Sequence, residues 1–138
     1  MKYLLSFFVL LSSLIINAQD VVGKYQLKVD ATNGELSRTL TLSADGTFEF
    51  YNYERHDIGI PPEKHLYAKG TWTSDKNVII FSAEPSDIDD THVLNFNTTR
   101  ARYKEKSSRD KSDRVVETSL IFYQSEIFWV KGMKLLKQ

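Results

Sequence analysis

Arg38 and Asn52 stand out first, because alternation places each on a strand face that is otherwise apolar. In Leu36-Ser37-Arg38-Thr39-Leu40-Thr41-Leu42, every second residue shares a side, so Arg38 lies with Leu36, Leu40 and Leu42. Asn52 follows Phe48 and Phe50 in the same way, and Trp72 shares a face with Leu66, Ala68 and Gly70. An inward arginine is costly unless it meets a partner or an anionic head group. One expectation is therefore a binding site in which Phe48, Phe50 and Trp72 contact an apolar tail while Arg38 and Asn52 hold an acidic group. The other is an interior filled by these side chains, with Arg38 near the rim and paired to Glu49, Glu35 or another carboxylate.

A second pattern is cationic. Arg100, Arg102, Lys104 and Lys106 fall at every second residue, so a strand there presents four cations on one face. Residues 98–114 hold seven cations and three anions, an excess suited to lipopolysaccharide phosphate or another acidic envelope polymer. The same lysines and arginines would also serve a solvated edge that discourages unwanted pairing. Glu84, Asp87, Asp89, Asp90 and His92 form an acidic stretch, but it has neither the glycine nor the terminal glutamate of a calcium loop. The three histidines are widely separated and no Gly-x-Ser-x-Gly elbow occurs, so neither a metal, a cofactor nor a catalytic residue is expected. Asn97-Thr98-Thr99 matches a glycosylation acceptor and is read as a chance match.

The elements that would position these residues are short strands. Tyr25, Leu27 and Val29 alternate, Asn33-Gly34 turns the chain, and Asp45-Gly46 between two alternating runs is the clearest hairpin signal. A third strand is expected to about Tyr53, followed by a loop from Glu54 to Glu63 around Gly59 and Pro61-Pro62. Leu66 to Thr73 and Val78 to Phe81 flank an Asp75-Lys76-Asn77 turn. Further strands are expected over Val93–Tyr103, Val115–Tyr123 and Ile127–Val130, with an exposed hairpin tip at residues 104–114 and a basic tail from Lys131. Eight or nine such strands with mostly short connections suggest an all-β, antiparallel up-and-down meander that removes its edges by closing into a barrel.

Gly23-Lys24-Tyr25, Ser43-Ala44-Asp45-Gly46-Thr47-Phe48 and Gly70-Thr71-Trp72 resemble the small secreted lipocalin-like domains of bacteria. The resemblance covers most of residues 21–83 and implies a calycin-like barrel carrying a small ligand. Tyr25 stands where a lipocalin usually has tryptophan, and the basic residue that the family packs over it would be Lys131 or Lys134.

Compartment and partners follow from the ends and the totals. Residues 1–18 read as a secretory signal, with Lys2 before an apolar stretch and Asn17-Ala18 before the cleavage point, leaving residues 19–138 as one domain. Thirteen residues from Leu4 to Ile16 span about 20 Å as a helix, short of the ~30 Å hydrocarbon core, so no membrane span is expected in the mature protein. The chain has no cysteine, which excludes a lipobox anchor, disulfides and thiolate chemistry. The mature chain carries 17 basic against 18 acidic residues, giving no global attraction to nucleic acid. The expectation is an exported protein, periplasmic or extracellular, that binds and does not catalyse. It holds a small hydrophobic or amphipathic ligand in its barrel, or else acts as a protein- or envelope-polymer-interaction module through the basic hairpin and the outward Tyr51, Tyr53 and Tyr67.

Overall fold

A computed structural model describes residues 20–138; the expected signal sequence lies outside the described residues. Eight antiparallel strands follow one another around a closed barrel: β1 Gly23–Ala31, β2 Gly34–Leu42, β3 Thr47–His56, β4 Glu63–Asp75, β5 Val78–Ser82, β6 Arg100–Lys104, β7 Ser119–Gln124 and β8 Lys134–Lys137. Pairing of β8 with β1, Tyr25 opposite Lys137, closes the ring. No helix among the described residues is long and apolar enough to cross a membrane.

Alternation decides what the barrel contains. Tyr25, Leu40, Leu42, Phe48, Phe50, Ala68, Trp72, Ile79, Phe81, Ala101, Leu120, Phe122 and Leu135 are all buried, and each sits on the inward parity of its strand. The Asp45-Gly46 hairpin forms as its sequence demands: Gly46 has φ +86° and Asp45 accepts from the Thr47 amide at 3.0 Å. Trp72 closes this end of the barrel, donating from its indole nitrogen to the Ser43 carbonyl at 3.0 Å.

Strands β1 to β4 run 9 to 13 residues, whereas β5 to β8 run 4 to 6. The long strands therefore stand above the short ones at one end, here termed the mouth, where residues 57–62, 83–99 and 125–133 connect them. Two of these connections differ from the sequence expectation. Val93–Tyr103 is strand only from Arg100, because Thr98 takes a left-handed φ of +64° and its neighbour Thr99 donates back to the Phe96 carbonyl at 3.0 Å. The resulting turn folds Phe96 into the barrel. Ile127–Val130 is a run of turns, with the Val130 amide donating to Ile127 at 3.0 Å, and the supposed basic tail supplies the closing strand Lys134–Lys137.

A β-branched residue in the left-handed region costs of the order of 1–3 kcal/mol. Thr98→Gly should therefore raise stability by about 1 kcal/mol in urea denaturation, provided the Phe96 turn is kept. A fall would mean that the threonine side chain contributes more than its backbone costs.

The cation beside Tyr25 is Lys137, directly opposite on β8, and not Lys131 or Lys134. Its ammonium donates to the Asp20 carbonyl at 2.6 Å, while the Tyr25 hydroxyl donates to the Val21 carbonyl at 2.5 Å. Burial raises the Tyr25 pKa well above the ordinary phenol value, helped by Tyr103 and Glu105. Tyr103 is pushed up to about 12, first by burial and then by its hydrogen bond to Glu105. Both groups keep their proton in the folded chain at pH values where the unfolded chain loses it. Their contribution to stability is full below pH 10 and declines above it, that of Tyr103 being lost by about pH 12 and that of Tyr25 at higher pH. Urea midpoints should fall above pH 10, and less steeply in Tyr103→Phe; a flat profile to pH 12 would contradict the burial assigned to both hydroxyls.

Candidate functional site

The barrel interior is packed with aromatic side chains. Phe48 meets Phe81 edge-on with centroids 5.0 Å apart, Phe50 meets Phe96 at 4.8 Å, and Phe81 stacks on Phe122 at 5.6 Å. Phe96 touches all four of these rings and is itself fully buried. Above it, Trp129 from the β7–β8 connection lies 6.2 Å from Phe50 and closes the column toward the mouth.

Arg38 sits on top of that column. Its guanidinium lies 4.6 Å over the Trp129 ring, and its Nε donates to Asn52 Oδ1 at 3.0 Å across the β2–β3 pair. Asn52 is fully buried and passes the contact on, donating from Nδ2 to Glu54 Oε1 at 3.1 Å. No carboxylate among the described residues lies within 4 Å of the Arg38 nitrogens. Burial lowers the Arg38 pKa, and Glu54 partly restores it; an arginine remains charged under such a shift. The result is a partly dehydrated cation held by a neutral amide and an aromatic face.

Beside Arg38 opens a cavity of about 400 Å³, walled by Val29, Ala31 and Leu36 and edged by Glu35, Glu54, Arg55 and His56. It occupies the concave inner side of the long β1–β3 strands where they outrun their short neighbours. Val29 remains 47% exposed on its wall, an apolar surface that water covers in the free protein. Ile58, Ile60 and Phe128 stand almost fully in solvent on loops at the same end of the barrel.

The expected site residues are therefore divided. Arg38 and Asn52 come together at the mouth, and Arg38 pairs through Asn52 rather than directly with Glu49 or Glu35. Phe48 and Phe50 lie below them within the packed column, and Trp72 is at the opposite end; none of the three lines the mouth cavity. Trp129 was not singled out from sequence, since it falls in a segment read as a plain strand.

On the outer wall, Arg100, Arg102 and Lys104 do share the exposed face of β6, and Arg102 stacks on Tyr123 at 4.8 Å. Lys106 does not join them. The strand ends at Lys104, and Lys106 turns back to donate to the Ser112 carbonyl at 2.6 Å. The hairpin expected around 104–114 is an irregular connection from 105 to 118. On the far wall, Tyr51 stacks on Tyr67 at 4.7 Å, and its hydroxyl lies 2.7 Å from His65 Nδ1. In the acidic stretch, Asp89 accepts from the His92 amide at 2.6 Å and from its ring nitrogen at 3.0 Å, which holds its carboxyl well below the ordinary range. Those bonds make it a turn-forming residue.

The fold and the mouth define a closed eight-stranded antiparallel barrel with an aromatic-packed interior and, at one end, a cavity whose wall carries Arg38 and Arg55 against Glu35 and Glu54. Against protein-family models, curated proteins and solved structures, the chain has no match.

Proposed function

We propose that this is an exported, non-catalytic binding protein of lipocalin-like type that holds an amphipathic ligand at the barrel mouth. The acidic head sits over Arg38 and the tail lies along Val29, Ala31 and Leu36. The observation that carries the reading is a partly dehydrated guanidinium with no carboxylate within 4 Å among the described residues, set beside an apolar-walled cavity of about 400 Å³. That volume falls within the range of small-molecule sites. This reading retains Arg38 as a ligand contact, leaves Asn52 as the buried residue that holds Arg38 in place, and replaces Phe48, Phe50 and Trp72 as the apolar contacts.

Dodecanoate should quench or shift Trp129 fluorescence on titration, and dodecanol should bind at least tenfold more weakly. A charge-assisted hydrogen bond is worth ~1.5–3 kcal/mol, so Arg38→Gln should weaken dodecanoate by about tenfold to a hundredfold and leave dodecanol nearly unchanged. Unchanged affinity of Arg38→Gln for dodecanoate would remove Arg38 from the site.

The filled interior and the β6 face favour a second reading, an interaction module for an anionic envelope polymer or a protein. Arg100, Arg102 and Lys104 would supply the charge, and the Tyr51, Tyr53 and Tyr67 face a separate contact. Retention on such a polymer that falls steeply with salt, and is unaffected by Arg38→Gln, would select it.

A further inference from the structure

A second cavity lies on the outer wall, remote from the mouth. Register places Lys104 opposite Ser119 on β7, Ser119 opposite Leu136 on β8, and Lys134 one step away opposite Ile121. Lys104 and Lys134 therefore flank Ser119 across three adjacent strands. The β6–β7 connection returns over this face through residues 114–117, leaving a solvent-open cleft of about 430 Å³ between itself and the sheet. Lys104, Arg114, Lys134, Glu117 and Ser119 all line that space.

Two features make this more than a basic patch. First, the Ser119 hydroxyl is fully buried and has no hydrogen-bond partner, a state that costs free energy unless a bound group satisfies it. Second, the wall carries three cations against one carboxylate, and among the described residues neither Lys104 nor Lys134 has a carboxylate within 4 Å. Arg114 is tied to Asp110 at 2.9 Å, which fixes the connection while leaving its remaining guanidinium donors free.

We propose that this cavity is a binding site for a phosphate group, carried by a phosphorylated small molecule or present as the free ion. A tetrahedral dianion offers enough acceptor oxygens to take hydrogen bonds from two ammonium groups, a guanidinium and a hydroxyl together. A carboxylate has only two oxygens and one charge. Glu117, on the same wall, accepts from a hydroxyl of the kind a sugar phosphate carries. The site stands whether or not the mouth binds an amphiphile.

The test is calorimetric titration of the purified protein with inorganic phosphate, glucose 6-phosphate and acetate, repeated in Lys104→Gln, Lys134→Gln, Ser119→Ala, Arg102→Gln and Arg38→Gln. Arg102 lies on the same strand but outside the cavity and serves as the charge control. Lys104→Gln and Lys134→Gln should each weaken phosphate at least fivefold, Ser119→Ala should weaken it severalfold, and Arg102→Gln and Arg38→Gln should leave it unchanged. Tighter binding of glucose 6-phosphate than of phosphate would identify a phosphorylated small molecule, and equal binding the free ion; either supports the site. Equal losses in Arg102→Gln and Lys104→Gln, competition by acetate at the same concentration, or no phosphate binding below 100 mM would overturn it. Amide spectra that match between each variant and the parent keep a loss from being ascribed to unfolding.

Discussion

Phe96→Ala is expected to destabilise the protein by about 3–5 kcal/mol, the range for removing a fully buried phenylalanine from a packed interior. The effect should sit at the upper end, because Phe96 contacts Phe48, Phe50, Phe81 and Phe122 and no single neighbour can swing in to replace it. Its backbone is fixed by the Thr98 turn, by Gln124 donating to the Thr98 carbonyl at 2.9 Å, and by the Thr99–Ser125 hydroxyl contact at 3.0 Å. The void should therefore persist rather than collapse. Urea denaturation with an unchanged m-value measures the loss. A loss near 1 kcal/mol would mean that the 83–99 connection is not a structural plug.

Gly70→Ala is expected to cost about 3 kcal/mol or more, at or beyond the usual range for overpacking. A Cβ at position 70 would stand 2.2 Å from the Ser82 carbonyl oxygen and 2.9 Å from a Phe48 ring carbon. The first obstacle is backbone, so β5 must move away from β4 where the barrel wall is already short. Gly132→Ala is the informative comparison. Its φ of +90° strains any side chain, yet nothing lies within 4 Å of the added atom. That change should cost only about 1–2 kcal/mol of backbone strain. A loss at Gly70 no larger than that at Gly132 would show that β5 yields to the added methyl at little cost, and that the close approach of β4 and β5 is not what fixes Gly70.

The wall from β1 to β5 was legible in the sequence because its strands are long enough for period-two alternation and are separated by turn residues such as Asp45-Gly46. The third strand extends three residues beyond the expected Tyr53, because Glu54 and His56 continue the inward parity of Asn52 at the mouth, where polar side chains are tolerated. Beyond Ser82 the signal weakens for physical reasons. Asn95-Phe96-Asn97 imitates alternation, yet Phe96 enters the core from a turn. Lys134-Leu135-Leu136-Lys137 is too short to show a period, and its lysines conceal a strand whose Leu135 is fully buried. Arg38 and Asn52 were visible as polar exceptions on apolar faces. Trp129, which turns Arg38 into part of a site, was not, since its role depends on how the β7–β8 connection folds over the barrel end. Ser119 carries no sequence signal at all.

Burial at the mouth also orders the energetics. Arg38 lies over Trp129 and Trp129 over Phe50, so a ligand head group above Arg38 rests on a column continuous with the core. Such support limits the rearrangement that binding requires, and preorganisation of this kind favours affinity.

The most direct measurement is a set of nuclear Overhauser contacts between the alkyl chain of bound dodecanoate and the side chains of the protein. Contacts to Val29, Ala31 and Leu36, without contacts to Phe48 or Phe122, are the expected result. Contacts to Phe48 and Phe122 would show that the barrel opens to admit the chain, and would contradict a solid interior with binding confined to the mouth.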